Sequence, residues 1–515
     1  MNKLLVIFLI LFFYTPLLAG SNIYCNPGNT GTENGETEET GYKTLHTALS
    51  EMSSGDTVVI SNGDWRNTSG MYIDADHRPP DGTSGSYSRV IAETDWGVKL
   101  PYIRIETVSS VTQGYLEFRG IVFDNKYIGS GSGHVSYHMH HTKFIRCGFL
   151  ANGLTGNAHT TGFGNADSDR SKNQYNLMEE CTAWGSGRYV FYSKYGQYNI
   201  FRRCVARHDY NDDPQISNFR AYACDYHIYQ NCISIDSDRT QHYASPLNDE
   251  SAGFWIGDQY GATGNQIIGS ISVKDIHMPY YIASNESGSA DISNSIALDV
   301  TVVGYDTLSA FILKSNINVT ASNILGFGAT LEGQDGFYGK NSGTFTIKNS
   351  ILKDIADVGV SGVTNTYINH YNAGSGTFGT GATTYDPFTN GLLYPVRIEA
   401  GSNLATAGED SSICGPTILK KIGTSGTIYG ETGWNTATND DLWPFPNEDT
   451  IKTLMSTTVD GVTGSYGFCT GNSLDSTPQT LTKYIWEYLG NQIPGSVYAA
   501  QTNRSGTGSG TGNIR

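Results

Sequence analysis

Nine short segments of this chain superimpose on one small residue. They are LEFRGIVFD at Gly120, KFIRCGFLA at Cys147, LMEECTAWG at Cys181, IFRRCVARHD at Cys204 and IYQNCISID at Cys232, followed by IIGSISVKD at Ser270, ISNSIALD at Ser295, TASNILGF at Asn323 and IKNSILKD at Ser350. The steps between these residues are 27, 34, 23, 28, 38, 25, 28 and 27, so most fall between 23 and 28. A short strand recurring at a nearly fixed period marks a solenoid rather than a row of globular domains. Asn231, Asn294 and Asn349 each sit at a turn between two strand-like runs. The interval is too long for a hairpin ladder and lacks a crossover-helix pattern, which leaves three short parallel strands per coil. Stacked at about 4.8 Å per rung, the repeated stretch would be roughly 40 Å long.

Composition agrees. A length of 515 residues alone would suggest several domains, but a solenoid grows coil by coil. Charged residues are 16% of the chain, too few for a coiled coil or helical array, and 12% aromatics argue against disorder. The net charge of -17 disfavours general nucleic-acid binding, because an acidic surface repels phosphate. The 61 glycines and 33 tyrosines suit short strands joined by tight turns.

Residues 41–65, GYKTLHTALSEMSSGDTVVISNGDW, place Leu45, Ala48, Leu49 and Met52 at helical spacing before a Gly-Asp-Thr turn and a strand. Together with the repeat, this segment resembles the amino-terminal cap of right-handed parallel β-helix proteins of the pectate-lyase-like superfamily. The resemblance covers roughly residues 22–370. It implies an all-β fold: a right-handed parallel β-helix with an N-terminal capping helix and a C-terminal loop-rich and helical cover. It leaves chemistry open, since members include lyases, hydrolases, epimerases and non-enzymatic surface proteins.

The expected organisation is a signal peptide over 1–19, the capped β-helix over 20–370, a cover over 371–500 and a disordered tail over 501–515. Lys3, the apolar run of residues 4–13, Pro16 and Ala19 carry the export expectation, and no other segment is long and apolar enough to span a membrane. A secreted or cell-surface location follows. In the cover, residues 481–490 read as an amphipathic helix ended by Gly490.

Side-chain parity can be argued from the fourth rung. Arg203 and Arg207 share one face of that strand, and two unpaired arginines cannot lie in a core. The small column therefore points inward, with Val122, Phe149, Ala183, Ala206, Ser234, Ser272, Ala297, Leu325 and Leu352 as the next inward position. The outward face then carries Ile233, Ile271, Ile296, Ile324 and Ile351, an apolar stripe that needs the C-terminal region or a partner chain over it. Cys147, Cys181, Cys204 and Cys232 stack as packed thiols, and Cys414 with Cys469 is the most plausible bridge.

Two long intervals, 152–173 and 237–264, are expected to wall a groove over the rungs of Cys181 and Cys204. Its floor would carry Glu180, Trp184, Arg188, Tyr192, Lys194, Arg203, Arg207 and His208, with Trp255 on a wall. The first functional reading is β-elimination of an acidic polysaccharide. Lys194 or Arg207 would be the base, and Arg188 or Arg203 would clamp the uronate carboxylate. Asp209, Asp212 and Asp213 would hold calcium. Glu180, Trp184, Tyr192, His208 and Trp255 would line the substrate. The alternatives are a non-catalytic adhesive β-helix and a glycoside hydrolase using Asp212 and Asp213. The hydrolase lacks the Asn-Thr-Asp, Gly-His-Gly and Arg-Ile-Lys signatures. His134, His138, His140 and His141 offer imidazoles along one strand edge without an evident third zinc ligand.

Overall fold

The computed structural model describes residues 20–499 apart from 107–111, 126–133, 152–158, 165–168, 186–187, 209–216, 238–251, 258–260, 275–277, 285, 300–307, 315, 330–333, 341–342, 457, 460–461, 464–467, 469–470 and 472–473. The expected signal peptide and tail, together with Asp209, Asp212, Asp213 and Cys469, lie outside the described residues.

The chain winds as a parallel β-helix. One coil runs through Ile200–Arg202, Val205–His208 and Ser217–Tyr222 before Ile228–Gln230 returns to the first ladder. Each strand pairs in parallel with its counterpart one coil away: Phe201 with Tyr229, Ala206 with Ser234, Phe219 with Phe254. The third of these ladders is an 11-stranded parallel sheet running from Ile105–Glu106 to Ser375–Gly376. At the amino-terminal end, Thr44 caps the helix Leu45–Ser50 by accepting the Thr47 N–H at 3.2 Å, and Leu45, Ala48 and Leu49 are buried against the first coils.

The turn between the first two ladders fixes the register. Arg146, Glu180, Arg203, Asn231, Asn294, Asn323 and Asn349 all hold left-handed backbone there, with φ between 46° and 54°. Each of the first six donates its N–H to a carbonyl of the following rung, as in Asn231 to Ile268 O at 2.9 Å. Asn pays the smallest steric penalty in this conformation after Gly, which explains its recurrence. Gly120 (φ 72°) belongs to the same turn.

This corrects the sequence alignment at two rungs. Gly120 and Asn323 are turn residues, so the inward residues beside the cysteines are Ile121 and Ile324, both fully buried in the solenoid core. Phe123 and Gly326, rather than Val122 and Leu325, occupy the next inward position, since Phe123 pairs with Phe149 and Gly326 with Leu352. The apolar stripe is therefore Ile233, Ile271, Ile296, Leu325 and Ile351, in unbroken register. The physical reason is that both the turn and the inward position accept small residues, so smallness alone cannot separate them.

The thiols of Cys147, Cys181, Cys204 and Cys232 are free and buried. Each donates to a carbonyl of the preceding rung, at 3.5, 3.4, 3.3 and 3.2 Å. Burial pushes Cys181 and Cys232 well above the ordinary thiol range. Cys414 donates its thiol to Ser350 O at 3.3 Å. On the third ladder the inward rings of Phe191, Phe219, Phe254, Tyr280 and Phe311 stack at 5.1, 4.7, 5.1 and 4.5 Å.

A second apolar cluster joins the stripe to the C-terminal region. Leu392, Val396, Ile398, Trp443, Ile451 and Trp486 bury against it. The helices Glu448–Met455 and Leu481–Trp486 supply several of these side chains, and Tyr484 and Trp486 are core residues. The turn asparagines bind the cover directly. Asn231 Oδ1 accepts Ile422 N at 2.7 Å, Asn294 Oδ1 accepts Thr417 N at 3.2 Å, Asn323 Nδ2 donates to Ile413 O at 2.9 Å, and Asn349 Oδ1 accepts Glu409 N at 2.8 Å. No helix of the described residues is long and apolar enough to cross a membrane.

Candidate functional site

The expected groove floor divides in two. Glu180, Trp184, Arg203, Arg207 and His208 lie on the first two ladders and the turn between them, and the cover packs on Trp184, Arg203 and Arg207 and reaches Glu180. Arg203 pairs with Glu179, binds Glu180 Oε1 at 3.0 Å and donates to Ile422 O at 3.0 Å. Arg202 beside it donates to Gln230 Oε1, Thr424 O and Trp434 O at 2.7–2.9 Å. Arg207 donates to Met455 O at 2.7 Å, and its guanidinium lies over the rings of Trp184 and Phe468 at 5.4 and 5.5 Å. His208 is fully buried. These arginines do leave the solenoid core, as parity requires, but they meet the cover instead of solvent. A buried guanidinium needs a carboxylate and carbonyls around it, and Glu179 and the cover backbone supply them.

Lys194, Arg188, Tyr192 and Trp255 lie elsewhere, on the outer face of the third ladder. The long intervals are not wholly loops: Thr161–Gly164 and Ala252–Ile256 within them are strands of this sheet. Trp255 is accordingly part of the floor rather than a wall. Strand pairing sets Gly162, Tyr192, Arg220, Trp255 and Tyr281 side by side over five coils, and sets Lys194 beside Tyr222.

The side chains form a compact cationic and aromatic cluster. The Arg220 guanidinium rests 3.4 Å from the Trp255 ring centroid, 5.3 Å from Tyr222 and 5.6 Å from Tyr189. Arg188 lies 5.1 Å from the Tyr189 ring, and Lys194 lies 5.1 and 5.8 Å from Tyr195 and Tyr222. His159 stacks on Tyr189 at 4.8 Å and leans on Tyr192 at 4.3 Å. Trp255 meets Tyr281 edge to face at 4.8 Å. Tyr189, Tyr192, Arg220 and Trp255 are buried, whereas His159, Arg188 and Lys194 are half-buried and form the outer layer.

Electrostatics follow from that packing. Burial, and then the Arg188 charge, holds the Lys194 ammonium below its usual range. Burial, with Arg188 and Lys194 nearby, pushes His159 down to about 3, so its imidazole is neutral at physiological pH. Its Nδ1 has no hydrogen-bond partner among the described residues. Burial, with Tyr137 and Tyr189 adding to it, raises Tyr192 well above the ordinary phenol range, so it stays protonated.

His159, Tyr189, Arg220, Tyr222 and Tyr281 were not anticipated from sequence. The usable signal was the aromatic series Phe191, Phe219, Phe254, Tyr280 and Phe311, spaced by 28, 35, 26 and 31 residues, which marks the third ladder and hence its outward neighbours. The expected calcium ligands lie in 209–216, the stretch leading directly into Ser217–Tyr222. Among the described residues no group of three or more His, Cys, Asp or Glu side chains could hold a metal ion, and this includes His138, His140 and His141. The calcium expectation itself falls on residues outside the described ones. His140 and His141 instead bring their Nδ1 atoms to 3.1 Å of each other.

No family model matches this chain, and no curated protein matches it in sequence. Solved structures do resemble it in fold. The pectate lyase Pel9A aligns at 13% identity and a TM-score of 0.42, covering 81% of this chain and 95% of that one. XylC, solved in complex with xylose, aligns at 8% and 0.43, covering 71% and 86%. A rhamnogalacturonan lyase aligns at 13% and 0.30, covering 66% and 75%. Likeness at this level says nothing about the chemistry of the present chain.

Proposed function

We propose that this chain is exported and cleaves an acidic polysaccharide by β-elimination at the outer face of the third ladder. One observation carries this reading: three cations, Arg188, Lys194 and Arg220, gather on an aromatic floor in a chain of net charge -17. Such a floor suits pyranose rings, and the cations suit their carboxylates.

The roles follow from position. Arg220 and Arg188 neutralise the uronate carboxylate, which acidifies the neighbouring C5–H bond. Lys194 removes that proton, and its depressed basicity leaves more neutral amine available near neutral pH. Trp255 and Tyr281, both buried, support the Arg220 guanidinium from beneath. Arg207 and Arg203, the other arginines considered for this chemistry, are committed to the cover.

The test is incubation of the mature protein with pectate, alginate, glucuronan and glycosaminoglycans while following the ultraviolet absorbance of unsaturated uronate. Appearance of the product with one polymer, and its loss in Lys194→Ala, is the expected result. No unsaturated product and no change in polymer length with any of them would leave a binding role in place of catalysis. Shortened polymer without unsaturation would indicate hydrolysis.

A further inference from the structure

Building on the β-elimination reading, we infer that Tyr192 is the acid that works with Lys194. The pair would then select uronates whose C5–H and C4–O4 bonds lie on the same face of the ring, the D-mannuronate and D-glucuronate configurations.

The argument starts with one strand, Tyr189–Lys194. Successive side chains on a strand alternate, so residues two apart share a face with Cα atoms about 6.6–6.8 Å apart. Phe191 and Ser193 point inward: Phe191 stacks in the core, and Ser193 Oγ is bonded by Asn199 Nδ2 at 3.2 Å. Tyr192 and Lys194 therefore both point outward, beside Arg220 and Tyr222 respectively. The buried phenol and the half-buried amine thus leave the sheet on the same face, so a sugar reaching both meets them from one side.

Two features hold the phenol there. His159 packs against the Tyr192 ring at 4.3 Å. Across the ladder the partner is Gly162, where a Cβ would run into the Tyr192 carbonyl and stand 2.8 Å from the Tyr192 Cβ. Only glycine lets the two strands pair with Tyr192 in this position. The phenol's persistence in the protonated form supports a donor role.

The step balances without a co-reactant. The Lys194 amine takes the C5 proton, and the C5–H electron pair becomes the C4–C5 double bond. The C4–O4 bond breaks with its pair on O4, and the Tyr192 hydroxyl proton passes to O4. Solvent exchange afterwards returns the proton from Lys194 and restores the phenol. Because both groups act from one side, the elimination is syn. In D-mannuronate and D-glucuronate the C5 hydrogen and O4 share a ring face. In D-galacturonate and L-guluronate they lie on opposite faces, so one-sided delivery fails.

The experiment uses the full mature chain with four polymers: poly-D-mannuronate, glucuronan, polygalacturonate and poly-L-guluronate. Unsaturated product from either of the first two, with at least a hundredfold lower rate on the last two, is the expected pattern. Tyr192→Phe should lower kcat/KM on the active polymer by about 10²–10⁴-fold, the range for loss of a general acid. The same variant should lose less than about tenfold on a uronate with a 4-O-aryl leaving group, which needs no protonation. Equal or faster cleavage of polygalacturonate or polyguluronate would overturn the selection while leaving the lyase reading intact. Full activity of Tyr192→Phe alongside inactive Lys194→Ala would overturn the acid assignment. No unsaturated product from any polymer would remove the underlying reading itself.

Discussion

Glu179 and Arg203 form an ion pair sealed from solvent, with the cover as its roof. Glu179 also accepts Gly426 N at 2.7 Å and faces Arg202 at 3.4 Å, so a single carboxylate serves two guanidiniums and the cover backbone. Removing it leaves the buried Arg202 without a carboxylate and Arg203 with Glu180 alone. Glu179→Ala is expected to destabilise the fold by about 3–5 kcal/mol, the cost of breaking a buried pair from one side. Equilibrium urea unfolding checks this. A loss below about 1 kcal/mol would match a solvent-exposed pair and contradict the burial.

Asn231 performs two tasks that substitutions can separate. It holds left-handed backbone (φ 51°), and its Oδ1 accepts Ile422 N at 2.7 Å. Asn231→Gly keeps the conformation and leaves the Ile422 N–H unsatisfied, an expected loss of about 1–3 kcal/mol. Asn231→Ala adds the left-handed penalty of about 1–2 kcal/mol. Denaturation midpoints should therefore fall in the order Asn231, Gly, Ala, and an alanine variant as stable as the glycine variant would refute the two-part account.

His227 predicts an acid-side instability. Its imidazole is fully buried against Phe201 and Tyr229, and burial pushes it down to about 3. The unfolded chain binds a proton near pH 6.5, so between that pH and about 3 it takes up a proton the folded state refuses. Stability is thus full above pH 6.5 and falls with decreasing pH, by up to about 1.4 kcal/mol per pH unit from this group. His227→Phe should flatten that slope in unfolding curves taken from pH 7 to 4. An unchanged slope would show that other groups dominate.

For catalysis, kcat/KM should rise with pH as Lys194 loses its proton, with a midpoint below the ordinary lysine value. Lys194→Arg should move that limb to higher pH. Arg207→Met, in contrast, should lower the unfolding midpoint while turnover per folded molecule is retained, because Arg207 contacts Met455, Trp184 and Phe468 in the cover interface. A pH–rate series on the three proteins distinguishes the two roles. Abolished turnover in folded Arg207→Met would reassign the site.

The solenoid was legible because its inward column admits only certain sizes, and Cys147, Cys181, Cys204 and Cys232 mark it at a regular period. Parity failed at Gly120 and Asn323, where a turn residue has the same size as an inward one. The arginines misled for a different reason. Sequence shows that Arg203 and Arg207 must leave the core, but not that residues more than 200 positions later close over them. The third ladder was obscured by connections of unequal length, so Arg220 and Tyr281 had no periodic neighbour to reveal them. Local periodicity reports the face a strand buries; it carries no information about what a distant segment places on the opposite face.

The cover meets the turn asparagines in reverse chain order: Glu409 at Asn349, Ile413 at Asn323, Thr417 at Asn294 and Ile422 at Asn231. It thus works as a ruler laid along the solenoid. A solenoid can ordinarily gain or lose whole coils, since each contacts only its neighbours. Here an extra coil between Asn231 and Asn349 would displace every later mark by one rung and leave the cover's backbone without its asparagine partners. The number of coils in this stretch is fixed by a segment outside the repeat, and any lengthening tolerated by the protein must occur beyond the ruler's ends.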